Sequence, residues 1–231
     1  MDLQHIRHIF FDLDHTLWDF DKNSEKAFAT IFKTHHPTIN TDRFIKHYVP
    51  INQACWALYQ VDKITHQDLK YKRLKDTFDA LAYPISDTEI DLLSHLYLEY
   101  LPDFNHLFDG ALEVLSYLSN HYELHIITNG FAQIQDRKME NSGLKPFFKT
   151  ITNSEMAGVK KPHPLIFEHA LTEAKATKTE SIMIGDCLIA DVQGALDFGI
   201  QALFFNPFEA PAPKNVVQIN TLQELKNLFA I

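Results

Sequence analysis

At 231 residues, with 45% hydrophobic and 22% charged residues, the chain has the composition of a folded globular protein long enough for one large domain or for a domain carrying an insert. A formal net charge of -9 argues against a nucleic-acid polymer or an anionic membrane surface as partner, because no basic stripe can neutralise phosphates; a nucleotide held in a pocket stays compatible. Only Cys55 and Cys187 are present, far apart, and no basic leader or membrane-length apolar run occurs, so neither a disulfide framework nor a thiolate zinc site is indicated and a cytoplasmic protein is expected.

The first element is the apolar run Ile9-Phe10-Phe11. In a chain that later alternates helix and strand it reads as a central parallel strand, and ligands bind beyond the ends of such strands. Asp12 and Asp14 follow, two residues apart, and on extended backbone they project to the same side. One carboxylate can attack phosphorus while the other moves the proton; together they form an oxygen-rich corner for Mg²⁺. The plainer reading is an Asp-rich turn closing a strand.

All seven glycines lie between Gly110 and Gly199, so the first 109 residues have none. Within that stretch Ala27, Phe28, Ile31 and Phe32 have helical spacing, and Pro37, Pro50, Pro84 and Pro102 mark the expected joints. Ser86-Asp87-Thr88-Glu89 reads as a helix start. A bundle of about four helices is expected over residues 20–107.

From Asp109-Gly110 onward the pattern alternates. Leu112, Leu115 and Leu118 form a helical stripe, and Glu123 to Thr128 reads as a strand ending in Thr128-Asn129-Gly130. Further strands are expected around residues 150–152, 182–184 and 202–205. The result is an α/β fold: a parallel-sheet core from residues 1–19 and 108–231, covered on both faces, with residues 20–107 inserted as a helical bundle.

Chemistry-bearing residues recur where strands end. Thr128, Asn129 and Gly130 offer a hydroxyl, an amide and free backbone suited to phosphate oxygens, although Asn-Gly alone is commonly a turn. Lys161, before Pro162 and Pro164, could neutralise a transferring phosphoryl group; on its own it would read as an exposed lysine. Asp186, after the strand Ser181-Ile182-Met183-Ile184, is a candidate metal ligand, and Asp191 could orient it or Lys161, or simply serve the helix dipole.

Taken together, Asp12-Leu13-Asp14-His15-Thr16, Thr128-Asn129-Gly130, Lys161-Pro162 and Gly185-Asp186 through Asp191 resemble, in order, the four signature motifs of the haloacid dehalogenase superfamily. The resemblance covers nearly the whole chain. It implies a Rossmann-like core with a helical-bundle cap domain inserted after the first strand, and an Mg²⁺-dependent aspartyl-phosphate mechanism with Asp12 as nucleophile and Asp14 as general acid and base. Thr128 and Lys161 would hold the phosphoryl group, and Asp12, Asp186 and the backbone carbonyl of Asp14 would hold the metal. Because the dehalogenase branch lacks a carboxylate at the position of Asp14, phosphatase is the leading chemistry. Trp18-Asp19-Phe20, Ile51-Asn52-Gln53 with Trp56, and Lys63-Ile64-Thr65 resemble the bacterial pyrimidine 5′-nucleotidase branch, which brings in Trp18, Asn52 and Trp56 as substrate-binding candidates.

A sugar-phosphate phosphatase or phosphosugar mutase of the same superfamily is the alternative, and a non-catalytic binding or regulatory module a further one. Trp18, Trp56, Tyr59 and Phe131 could stack on a base, although aromatics at helical spacing are usually core. Among the thirteen histidines, His5 and His8 read as preceding the first strand and His35-His36 as a helix end, which favours solvated caps over a metal site; His15 has no catalytic role assigned. The expected partner is a small phosphate ester, and the expected state a monomer or weak homodimer.

Overall fold

A computed structural model describes residues 3–229. The chain divides into two compact units, one running through Asp19 and resuming at His106, the other Phe20–Asn105.

The second unit has four main helices, α1 (Phe20–His35), α2 (Thr41–Gln60), α3 (His66–Ala80) and α4 (Asp87–Tyr100). Its core is aromatic: Phe28 stacks on Tyr97 with ring centroids 4.5 Å apart and meets Phe44 and Tyr48 at 4.8 Å each. Such pairs contribute about 0.5–1.5 kcal/mol each beyond their buried area, so this unit carries a core of its own. Ser86 starts α4 through a reciprocal cap with Glu89, and Thr65 starts α3 the same way with Asp68. One expected joint is absent. Pro50 lies inside α2, where it removes one N–H but faces solvent, while the buried stripe of Phe44, Tyr48, Asn52 and Cys55 runs past it unbroken.

The first unit holds six parallel strands among the described residues: β1 (His8–Phe11), β2 (Glu123–Thr128), β3 (Phe148–Asn153), β4 (Ser181–Gly185), β5 (Gln201–Phe205) and β6 (Gln218–Ile219), in the spatial order β3-β2-β1-β4-β5-β6. Its helices are α5 (Ala111–Leu118), α6 (Ala132–Asn141), α7 (Ser154–Ala157), α8 (Pro164–Ala174), α9 (Gly194–Phe198) and α10 (Glu224–Leu228). β1 pairs with β2 on one side and β4 on the other, Ile9 lying opposite both Leu124 and Ile182. Ile9, Phe10 and Phe11 are fully buried, as a strand covered on both faces requires. Phe10, Ile127 and Met183 of the sheet pack with Ile166, Phe167 and Ala170 of α8. In α5 the buried face is Ala111, Val114, Leu115 and Leu118; Leu112 is exposed, because the spacing 111, 114, 115, 118 follows the 3.6-residue turn better than 112, 115, 118.

The chain visits β2 and β3 on one side of β1 and then β4 to β6 on the other. The order therefore reverses between β1 and β4, and open parallel sheets place their ligand crevice at such a reversal.

Candidate active site

Three strand ends converge at that reversal. Asp12 follows β1, and its N–H donates to the Ile184 carbonyl of β4 at 2.9 Å. Thr128 is the last residue of β2, and Asp186 follows Gly185, the last of β4. Lys161 reaches them from the loop before α8. His163 caps that helix and Pro164 opens it, so the helix start is anchored two residues beyond the lysine.

Lys161 is buried, not the exposed lysine its neighbourhood in sequence allows. Its ammonium donates to Asp12 Oδ1 at 2.5 Å and to the Ile127 carbonyl at 2.6 Å, and it lies 2.7 Å from Asp191 Oδ1. Burial lowers the affinity of this amine for its proton, but the carboxylates of Asp12 and Asp191 more than offset it, and the pKa moves up. Asn129 fixes the lysine's backbone: its side-chain amide donates to the Lys161 carbonyl at 2.9 Å and its oxygen accepts from the Lys161 N–H at 2.8 Å. Both ends of the Asn129 amide are thus committed to Lys161.

Asp14 has a different partner. It accepts from the Lys138 ammonium of α6 at 2.7 and 3.0 Å and from Gln135 Nε2 at 3.4 Å. Lys138 is itself buried and sits 4.3 Å above the Trp18 ring. Trp18 is buried, and its ring supports the lysine. Gln135 also donates to Thr128 Oγ1 at 3.1 Å, which ties the hydroxyl at the end of β2 to the carboxylate after β1. Gly130 makes room for this arrangement: a Cβ there would displace the Gln135 amide and crowd Asp14 Oδ2 at 3.2 Å. His15 turns the loop with a left-handed φ of 64°, a backbone role.

Lys138 and Gln135 are absent from the sequence-derived set, yet a signal for them exists. Lys138 lies four residues after Ile134 and beside Met139, which puts it on the apolar face of α6. A lysine on such a face needs a buried anion.

Asp12, Asp186 and Asp191 bring carboxylate oxygens within 4.8 Å of one another. Thr16 donates to Asp186 Oδ1 at 3.1 Å, and the Cys187 N–H donates to Asp191 Oδ2 at 2.9 Å. Three carboxylates face one ammonium, so the cluster holds an excess of buried negative charge. Asp12 is raised well above the usual carboxylate range by burial, against the pull of Lys161 and with Asp191 and Asp186 adding to the rise. Burial and Asp191 likewise raise Asp186. A divalent cation removes that penalty, and an all-oxygen donor set suits Mg²⁺. A Cβ on Gly185 would collide with the Asp191 carboxylate, so the glycine preserves the close approach that forms the cluster.

These contacts divide the acids. Asp191 is committed to Lys161 and the Cys187 backbone, whereas Asp186, among the described residues, meets the Thr16 hydroxyl through one oxygen and keeps carboxylate capacity to ligate. We expect Asp186→Ala to raise the Mg²⁺ concentration for half-activation far more than Asp191→Ala, for which a 10- to 100-fold change is the scale of a lost orienting group. Titrating activity against Mg²⁺ checks this, and a larger shift for Asp191→Ala would reverse the two roles.

The chain belongs to the haloacid dehalogenase-like hydrolases: residues 6–199 match the family model of that description. It is therefore a hydrolase of the family anticipated from the motif order. It is 32% identical over 201 residues to the pyrimidine 5′-nucleotidase PynA of Streptococcus pneumoniae, covering 86% of this chain and 83% of that one. To the pyrimidine 5′-nucleotidase YjjG of Escherichia coli it is 28% identical over 225 residues, 96% of each chain. Among solved structures, the HAD-hydrolase YfnB of Bacillus subtilis, bound to magnesium, superposes with a TM-score of 0.88 at 28% identity, covering 99% of this chain and 100% of that one.

Proposed function

We propose that the protein is an Mg²⁺-dependent phosphomonoester phosphatase that works through an aspartyl-phosphate on Asp12 and acts on pyrimidine nucleoside 5′-monophosphates. One observation carries the chemistry: two aspartates two residues apart, each held by its own buried lysine, Asp12 by Lys161 and Asp14 by Lys138. Separate cations keep the two acids in separate jobs.

In this reading Asp12 attacks phosphorus and the ester oxygen departs with a proton from Asp14. Lys138, 2.7 Å from Asp14 Oδ1, then stabilises the carboxylate that Asp14 becomes. Asp14 next takes a proton from water as the water attacks the phosphorus of the acyl phosphate; inorganic phosphate leaves, and Asp12 is restored. Thr128 and Lys161 meet the equatorial oxygens, Lys161 using charge already balanced against Asp12 and Asp191. Asp12, Asp186 and the Asp14 carbonyl would hold Mg²⁺, which when bound supplies positive charge against the developing phosphoryl charge.

The preference for pyrimidine nucleotides rests on the likeness to PynA and YjjG. Asn52 and Trp56 are carried forward as candidates for choosing the leaving group. In the helical unit Asn52 is buried and accepts from Tyr48 Oη and Arg73 Nη1, each at 3.4 Å, while Trp56 is half-buried and meets Tyr59 edge-on at 5.6 Å. Removing Asn52 would leave Arg73 short of a partner at about 1–3 kcal/mol, so Trp56→Ala is the cleaner variant for specificity. Phosphate release should be followed across pyrimidine and purine nucleoside monophosphates, sugar phosphates and a small aryl phosphate. We expect kcat/KM for pyrimidine nucleotides to lead, and Trp56→Ala to lower it more than that for the aryl phosphate. Equal rates across bases would remove base recognition, and isomerisation of a sugar phosphate without phosphate release would point to a mutase.

A further inference from the structure

A second cluster of ligating groups lies at the opposite end of the central strands. His8 opens β1 and pairs in register with Glu123, the first residue of β2. Its side chain belongs to the sheet, unlike the solvated position expected for a residue ahead of the strand. His8, Phe10, Glu123, His125 and Ile127 share one face by strand alternation, and Thr150 lies beside His125 on β3. Asp12, just past the end of β1, is four residues from His8, roughly 13 Å at 3.3 Å per residue, so the two clusters are separate.

We propose that His8, Glu123 and His125 form a metal site for a borderline transition-metal ion such as Zn²⁺, distinct from the carboxylate cluster. His8 Nδ1 and His125 Nε2 are 3.2 Å apart. Two imidazole nitrogens on a tetrahedral zinc, with bonds of about 2.0–2.1 Å, would stand about 3.3 Å apart, so the rings already have the required spacing. Glu123 Oε2 is 3.9 Å from His8 Nδ1 on an exposed side chain that can close the remaining distance. All three ligand atoms lie within 4.8 Å of one another.

The surroundings prepare His125 for the task. Its Nδ1 is 2.9 Å from Thr150 Oγ1, a contact that, with Nδ1–H donating to the hydroxyl, leaves the Nε2 lone pair turned toward His8. Phe10 stacks on the ring at 4.6 Å and fixes its plane. His8, whose Nδ1–H faces the His125 lone pair, would ligate through Nδ1 in its other tautomer, with the proton on Nε2. With two imidazoles and one carboxylate the set is softer than the all-oxygen cluster, which favours zinc over magnesium and leaves a fourth position open.

The full chain, stripped of metal and held in excess Mg²⁺ to occupy the carboxylate cluster, should take up one equivalent of Zn²⁺ by calorimetry. Cobalt(II) in its place should give the visible absorption of a tetrahedral site. His8→Ala should weaken binding at least 100-fold, and Glu123→Gln, at an exposed position that does not threaten the fold, at least 10-fold. Phosphate release in Mg²⁺ should be unchanged in both. No zinc uptake at micromolar concentration, or uptake equal in wild type and both variants, would overturn the site and leave a plain imidazole–imidazole hydrogen bond.

Discussion

Asp12→Asn is expected to abolish turnover while leaving the fold intact. An amide is not a nucleophile toward phosphorus, and removing the nucleophile from an acyl-transfer enzyme costs on the order of 10⁴-fold or more. The fold should tolerate the change because Lys161 retains Asp191 and the Ile127 carbonyl, and a neutral side chain relieves the crowding of Asp12 against Asp186 and Asp191. Melting temperature should therefore stay near wild type as phosphate release vanishes. Asp14→Asn supplies the contrast. It removes the proton donor and leaves the nucleophile, so its defect should shrink for aryl phosphates with good leaving groups and remain large for alkyl esters. Wild-type turnover by an Asp12→Asn protein verified by mass spectrometry would sink the covalent mechanism; equal losses on both ester classes would remove Asp14 as the acid.

Which of these residues could be read from the sequence follows from where they stand. Asp12, Thr128, Lys161 and Asp186 are polar residues at the ends of apolar runs or beside proline, and a parallel sheet gathers such ends at one edge whatever its side chains. β1, β4 and β5 were legible because burial on both faces leaves few polar residues in them; β6, with only Gln218 and Ile219, is too short to leave that pattern. Lys138 and Gln135 stayed hidden in a polar stretch of α6, where the composition suggests a solvated face and only the spacing from Ile134 betrays a buried one. His125 was masked in the opposite way, by apolar neighbours that make a strand look purely structural. Trp18 shows how one residue type carries two readings: its ring beside the motif suggests a stacking platform for a base, and in the fold it also meets the Lys138 cation. Pro50 misled through a rule true on average, since one missing N–H on the solvent side costs less than the buried face of α2 returns.

Lys161→Met should harm both stability and catalysis, and the two losses should respond differently to pH. The ammonium is the cation in direct contact with Asp12 and Asp191, and removing one partner from a buried ion pair costs about 3–5 kcal/mol. For a chain of this length that is a fall in melting temperature on the order of 10 °C. The sign of the pH dependence follows from the acids left behind. Asp12 and Asp186 already have folded-state pKa values above the unfolded value of 3.8, and without Lys161 they rise further. An acid that holds its proton more tightly when folded contributes stability below its unfolded pKa and loses it as pH rises toward the folded value. The variant should therefore be closest to wild type near pH 4 and fall increasingly behind as pH rises. Mg²⁺ should recover much of the melting temperature, because it neutralises the same carboxylates, yet restore little turnover, because the phosphoryl oxygens still lack their ammonium. The turnover loss should stay at least 10²-fold at saturating Mg²⁺, the scale of one lost charge-stabilising group. Melting curves from pH 4 to 8 with and without Mg²⁺, beside phosphate release at each pH, separate the two effects. Full recovery of turnover by Mg²⁺ would make Lys161 a structural counter-ion only, and a stability deficit that did not grow with pH would show that the carboxylates are not what the lysine holds in check.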